Sequence, residues 1–288
     1  MSVTAPAGFR AAGVRAGLKA SGRPDLALVV NDGPLDVAAG VFTANRVVAA
    51  PVVWSRAAVA DGRARAVILN SGSANACTGA RGADDAAATA GRVAELLTAA
   101  DPQRPVRPDD VLVCSTGVIG EPLDMPALLA GASQAAGALA PTPGAGRDAA
   151  LAIMTTDTVP KEDAVSRTSA GAAWTVGGMI KGVGMLAPGL ATMLCVITTD
   201  AVVDAAAARA ALGGAVARTV NRINSDGCMS TNDTVLLLAS GASGARPSPA
   251  ELGGALTELL ARLGRRLVAD AEGATHDIAI TVSGAVSE

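Results

Sequence analysis

The chain has 288 residues, half of them hydrophobic but only 1% aromatic, with a net charge of −3 and a single histidine, His276. That length suits one large or two modest domains and buries roughly 75% of the unfolded surface. Four aromatic residues (Phe9, Phe42, Trp54, Trp174) and no basic cluster exclude base stacking and phosphate-backbone binding, so nucleic acid is not an expected partner.

Short β-branched runs alternate with alanine-rich stretches, which points to interleaved strands and helices, an α+β chain. In chain order, strands are predicted at 26–30, 66–70, 111–115, 173–176, 193–198, 235–239 and 278–282. A helix is predicted at 84–100, where Ala86, Ala90, Val93 and Leu97 share a face and Asp84 and Asp85 favour its positive end. Further helices are predicted at 125–139, 205–220 and 248–267, the last with Ser248 as cap and Pro249 in the first turn. Residues 141–146 read as a linker-like turn cluster. The small polar residues of 221–234 read either as a solvated loop or as a cleft wall that hydrogen-bonds a polar ligand. Cys77, Cys114, Cys195 and Cys228 are far apart and form no C-x-x-C pair, so buried thiols are expected and no metal site. No apolar run reaches about 18 uninterrupted residues, so no membrane span is expected. The start lacks the basic and apolar regions of a signal peptide, and a cytoplasmic location follows as the expectation.

The most informative stretch is 181–194. Gly182-Val-Gly184-Met-Leu-Ala187 formally matches a dinucleotide-binding fingerprint, which needs a helix opening from it. Pro188, Gly189 and a strand-like segment follow instead, so no nucleotide cofactor is expected. A second reading centres on Thr192. With histidine nearly absent, a threonine can act as nucleophile if its own α-amine is the base, which requires cutting the peptide bond before it. Glycines at 182, 184 and 189 permit the backbone conformations such a cut needs. An N→O acyl shift at Ala191–Thr192 followed by hydrolysis frees an amine whose reference pKa is ~7.7–8.0, close to operating pH. From the residues alone, the alternative that Thr192 merely opens a buried strand stays open.

Gly184-Met-Leu-Ala-Pro-Gly-Leu-Ala-Thr192-Met-Leu resembles the self-cleavage segment of the ornithine acetyltransferase (glutamate N-acetyltransferase) family of arginine biosynthesis. Other blocks agree in order: Gly40-Val-Phe-Thr43, Asn70-Ser-Gly-Ser-Ala-Asn75-Ala, Ser115-Thr-Gly-Val-Ile-Gly120, Ile153-Met-Thr-Thr-Asp-Thr158 and Trp174-Thr-Val-Gly-Gly178-Met. Ser225-Asp-Gly-Cys-Met-Ser-Thr-Asn-Asp233-Thr and Asp270-Ala-Glu272-Gly-Ala-Thr275 complete the series. The resemblance implies a layered α/β sandwich like that of N-terminal-nucleophile hydrolases, self-cleaved after Ala191 into fragments 1–191 and 192–288 that stay together and pair, an α2β2 assembly. It implies Thr192 as the nucleophile that carries acetyl, with the Thr116 side chain and the Gly117 N–H as the oxyanion hole. Thr155, Lys181, Thr192 and Glu272 would contact the amino-acid substrate, Lys181 suiting a carboxylate and Glu272 an ammonium.

The implied reaction moves acetyl from N-acetylornithine to glutamate; acetyl-CoA is a further donor in some members, and no cofactor is implied. The family continues beyond residue 288 with a C-terminal segment that contributes to the pocket, so the resemblance covers most of the family pattern. Two other readings are a threonine-nucleophile amidase or peptidase with water as acceptor, and an inactive truncated remnant.

Overall fold

The computed structural model describes residues 2–185, 193–276 and 278–286. Its strands are β1 (Phe9–Val14), β2 (Leu26–Asn31), β3 (Val37–Phe42), β4 (Ala66–Ser73), β5 (Val111–Val118), β6 (Lys161–Ser169), β7 (Ala172–Lys181), β8 (Leu194–Thr199) and β9 (Thr234–Ala239). Its helices are α1 (Ala50–Ala58), α2 (Gly79–Ala100), α3 (Met125–Gly137), α4 (Pro143–Ala152), α5 (Ala205–Arg218) and α6 (Pro249–Ala269).

The strands form two sheets. One has the order β1-β2-β4-β5, antiparallel except for the parallel pair β4–β5. The other has the order β3-β9-β8-β7-β6, antiparallel except for the parallel pair β8–β9. Strands β2, β8 and β9 are buried along their whole length, which is why their sequences run apolar without alternation. The sheets stack face to face over a cluster that includes Phe9, Val29, Leu69, Leu112, Met179, Val196 and Leu236. A second cluster packs α2 and α3 on the outer face of the four-stranded sheet through Val93, Leu97, Leu128 and Ala132. A third packs α5 and α6 on the outer face of the five-stranded sheet through Leu212, Val216, Leu256, Leu259 and Leu263. The result is a four-layer helix–sheet–sheet–helix sandwich, with α4 lying along β1 and β2.

Capping fixes several helix starts. Asp124, Thr142, Asp204 and Ser248 each accept the N–H of the third residue on, and Glu251 returns the bond at Ser248 to complete a capping box. The expected strands at 26–30, 66–70, 111–115, 173–176, 193–198 and 235–239 are β2, β4, β5, β7, β8 and β9, and the four expected helices are α2, α3, α5 and α6.

Several expectations are corrected. Helix α2 begins at Gly79, which places Asp84 and Asp85 beyond its first turn, and burial raises the pKa of Asp85. Residues 141–146 are not a linker: Thr142 caps α4, Pro143 opens it, and Ala140 bridges Ala11. Residues 278–282 form no strand, because no described strand lies beside them, and Ile278, Ile280 and Val282 are exposed. Only Cys114 and Cys195 are buried thiols; Cys77 and Cys228 are exposed, each on a loop rather than a strand. Strands β1, β3 and β6 and helices α1 and α4 were not anticipated. Among the described residues the polar strand β6 pairs only with β7, and charged side chains are what an edge strand carries to resist further pairing.

Candidate active site

The site lies where the ends of both sheets meet. In the five-stranded sheet Lys181, the last residue of β7, stands opposite Leu194, and Leu194 stands opposite Thr234. The segment joining β7 to β8 therefore leaves and returns at one edge. In the four-stranded sheet, β4 and β5 end together, with Asn70, Ser71 and Gly72 opposite Ser115, Thr116 and Gly117. Asn232 ties the two ends: its side-chain amide donates to the carbonyls of Ser115 (2.9 Å) and Ala74 (2.7 Å). Ser115 Oγ in turn donates to Asn70 Oδ1 at 2.6 Å.

Across that junction the Lys181 ammonium donates to the Thr116 hydroxyl at 3.2 Å, and both side chains are almost fully buried. A hydroxyl that accepts from an ammonium keeps its own proton free and becomes a stronger donor. Gly117 follows with φ +133°, a conformation that side chains rarely adopt. A Cβ there would also sit 2.4 Å from the Gly72 carbonyl. Only glycine fits.

Lys181 is held among buried charges. Burial lowers its pKa, Asp157 and Asp233 oppose that, and Lys161 adds to it. Asp157 is the hub. It accepts the Lys161 ammonium (2.7 Å), the Gly182 N–H (2.8 Å) and the Thr155 N–H (3.0 Å). Burial alone would raise the Asp157 pKa, but Lys181, Lys161 and the Gly182 N–H outweigh it, so the group is held below the usual carboxylate range. Lys161, fully buried, also reaches Asp270 at 2.5 Å, and Asp270 accepts from the Thr158 hydroxyl and, at 3.1 Å, from the Thr158 N–H.

Asp233 stands at the start of β9 and accepts the Met193 N–H at 3.0 Å. Its other oxygen has no hydrogen-bond partner among the described residues. Burial pushes its pKa up to about 8, against the pull of Met193, Ser230 and Lys181. Lys19 stands nearby. Its ammonium donates to the carbonyls of Pro24 and Met154, and burial lowers its pKa to about 8, with Lys181 among the charges it feels.

The structure thus gathers the expected residues Thr116, Gly117, Thr155 and Lys181 at one junction. Glu272 lies at the same mouth: its N–H donates to the Val183 carbonyl at 2.7 Å, and its carboxylate lies 3.5 Å from where a Cβ on Gly184 would stand. Ala191 and Thr192, the expected cleavage pair and nucleophile, lie outside the described residues. Of the G-x-G-x-x-A match, residues 182–185 are described; Asp157 accepts the Gly182 N–H and Asp226 the Met185 N–H (2.6 Å). The 221–234 stretch divides in two, exposed at Glycine-flanking residues 224–228 and buried at 230–234, where it walls the site. Among the described residues, no group of three His, Cys, Asp or Glu is placed to hold a metal ion.

Sequence reasoning missed Lys19, Asp157, Lys161, Asp233 and Asp270 as parts of the site. Asp157, Asp233 and Asp270 sit inside the blocks that carry the family resemblance, which was the available signal. Nothing in residue type alone separates a buried aspartate from a solvated one.

The sequence matches the ArgJ family over residues 10–288. This chain belongs to that family. It is 59% identical over 289 residues to the "Arginine biosynthesis bifunctional protein ArgJ" of Bifidobacterium longum, a match spanning 100% of this chain and 71% of the relative. The protein of that name from Thermobifida fusca is 58% identical over 287 residues, spanning 100% of this chain and 72% of the relative. Among solved structures, the ornithine acetyltransferase of Mycobacterium tuberculosis, complexed with ornithine, aligns with a TM-score of 0.63 at 56% identity. That alignment covers 66% of this chain and 96% of the other. The L-aminopeptidase D-Ala-esterase/amidase of Ochrobactrum anthropi, described as a variant among the Ntn hydrolase fold, aligns with a TM-score of 0.58 at 13% identity, covering 94% of this chain and 86% of that one. At that identity it speaks for the fold alone, which is the layered N-terminal-nucleophile type expected. As an ArgJ family member the chain is an acyltransferase of arginine biosynthesis.

Proposed function

We propose that this ArgJ family chain transfers acetyl from N-acetylornithine to glutamate through an ester on Thr192. The observation that carries the reading is the buried Lys181–Thr116 contact at the mouth of the segment that delivers Thr192. In this scheme the Thr192 α-amine takes the proton of its own hydroxyl, whose oxygen attacks the acetyl carbonyl. The Thr116 hydroxyl, polarised by Lys181, and the Gly117 N–H receive the developing negative charge. On collapse the Thr192 ammonium passes that proton to the departing amine, so that ornithine leaves and acetyl-Thr192 remains. Glutamate attacks that ester through the same oxyanion site, and free Thr192 returns. Thr155, Lys181 and Glu272 orient the amino-acid part of each substrate, Glu272 by its charge toward an ammonium group.

The amine exists only if the chain is cut after Ala191, giving fragments 1–191 and 192–288. Two observations support that division. The solved ornithine acetyltransferase chain, aligned over 96% of its own length, covers 66% of this chain, a share equal in size to residues 1–191. Strands β8 and β9 lie between β3 and β7, so the fragments would remain joined by a shared sheet. Pairing into an α2β2 assembly and a cytoplasmic setting belong to this proposal; among the described residues, no helix is long and apolar enough to cross a membrane. No cofactor enters the scheme.

Denaturing electrophoresis with N-terminal sequencing tests the cut: two fragments are expected, the smaller beginning at Thr192, and Thr192→Ala should leave one chain. An assay with N-acetylornithine and glutamate should yield acetylglutamate. Release of acetate in its place would overturn acetyl transfer in favour of hydrolysis. Replacing N-acetylornithine by acetyl-CoA in that assay decides whether the second donor is used.

A further inference from the structure

Among the described residues, a cluster of buried charges collects around a residue that the acetyl-transfer scheme does not use. Asp157 lies in the turn between α4 and β6 and is almost fully buried. It holds two backbone N–H groups of different segments, Thr155 and Gly182, on one carboxylate. Gly182 follows Lys181 directly in the chain, and Thr155 is one of the expected substrate contacts. Its third partner, Lys161, is locked from behind by Asp270.

We infer that Asp157 is a positioning residue for acetyl transfer, holding the Lys181 ammonium charged against Thr116 and setting the Thr155 and Gly182 turns on either side of it. The inference rests on the acetyl-transfer reading above. Its physical basis is that a lysine buried at a sheet end stays charged only with an anion near by. The charged groups facing Lys181 are Asp157 from the α4–β6 turn, Lys161 from β6, Asp233 from the segment before β9, and Lys19 from the segment after β1. Of the two anions, Asp233 is the weaker counter-charge, because burial favours its neutral form at neutral pH. The charge on Lys181 therefore depends chiefly on Asp157.

Burial already lowers the Lys181 pKa, and removing Asp157 removes the main opposing attraction. The lysine then gives up its proton at lower pH, Thr116 loses its polarising partner, and turnover falls on the alkaline side. Asp157→Asn keeps the shape but deletes the charge, and because the Thr155 and Gly182 N–H groups bond different carboxylate oxygens, its single acceptor oxygen can keep only one of them. Its kcat should fall about tenfold or more at pH 8, KM should rise as the neutral lysine loses its hold on a substrate carboxylate, and the alkaline limb of the kcat profile should move down by about one pH unit or more. Asp270→Asn breaks the same ion cluster at its far end, so it should lower stability without moving the pH limb.

If Asp157→Asn fails to fold, the double variant Asp157→Asn/Lys161→Met removes both ends of the buried pair, which a fold tolerates better than loss of one. A downward shift is expected there too, but a smaller one, because losing Lys161 also removes a repulsion on Lys181. A folded Asp157 variant whose alkaline limb coincides with that of the wild type overturns the inference and leaves the acetyl-transfer reading standing. An equal shift in Asp270→Asn also overturns it, in favour of a purely structural cluster. A wild-type chain without acetyl transfer at any pH overturns the functional reading and this inference together.

Discussion

Replacing Thr116 by valine tests the oxyanion assignment most directly. Valine nearly matches threonine in shape, so the packing at the end of β5 survives while the hydroxyl is lost. Two effects follow from the one contact at 3.2 Å. Loss of one well-aimed oxyanion donor costs about 3–4 kcal/mol of barrier, which is a fall in kcat of about 10²–10³-fold. Loss of the acceptor leaves the Lys181 ammonium with one partner fewer, a stability cost of about 1–3 kcal/mol in a site this buried. Thr116→Ser restores the hydroxyl and should recover most of the rate, the remaining loss reflecting a freer rotor without the methyl group. Steady-state acetyl transfer, read beside urea unfolding of each variant, separates the two effects. Should Thr116→Val keep kcat/KM within about threefold of wild type while remaining folded, the hydroxyl is not an oxyanion donor and the mechanism drawn from this junction is wrong.

Other outcomes follow from the same geometry. Asp233 has a folded pKa near 8 against about 3.9 unfolded, so the native state holds a proton there that the unfolded chain has lost. Its contribution to stability is fully present below about pH 4 and declines by about 1.4 kcal/mol per pH unit as pH rises toward 8; Asp233→Asn should flatten that slope in urea titrations between pH 5 and 8. Gly117→Ala combines a φ of +133° with a Cβ 2.4 Å from the Gly72 carbonyl, and should cost about 1–3 kcal/mol in conformation alone, with the backbone displacement also lowering kcat. A thermal midpoint and rate equal to wild type would contradict that. Ser248→Ala removes the half of the α6 capping box in which the Ser248 hydroxyl accepts the Glu251 N–H and should lower stability by about 1 kcal/mol with acetyl transfer unaffected. An unchanged unfolding midpoint would show that the cap is redundant with the packing of Leu252, Leu256 and Leu259.

The sequence by itself determined the parts of this protein that depend on local pattern. Apolar β-branched runs marked β2, β4, β5, β7, β8 and β9, because strands buried between layers must be apolar on both faces. Alanine and leucine at helical spacing marked α2, α3, α5 and α6. The ordered motif blocks, with Thr116-Gly117 and the glycine-rich approach to Thr192, led to the family and its chemistry. Tertiary structure alone decided the rest. Strand β1 has small residues at its centre and β6 is largely polar, so each is a strand only because a neighbour supplies the hydrogen bonds. Residues 278–282 show the converse, a strand-like pattern with no described partner. The electrostatics of the site were beyond any linear pattern: Asp157, Asp233, Lys161 and Lys181 are ordinary charged residues until folding removes water from around them. Burial then pushes both aspartates toward their protonated forms, and only at Asp157 do Lys181, Lys161 and the Gly182 N–H outweigh it.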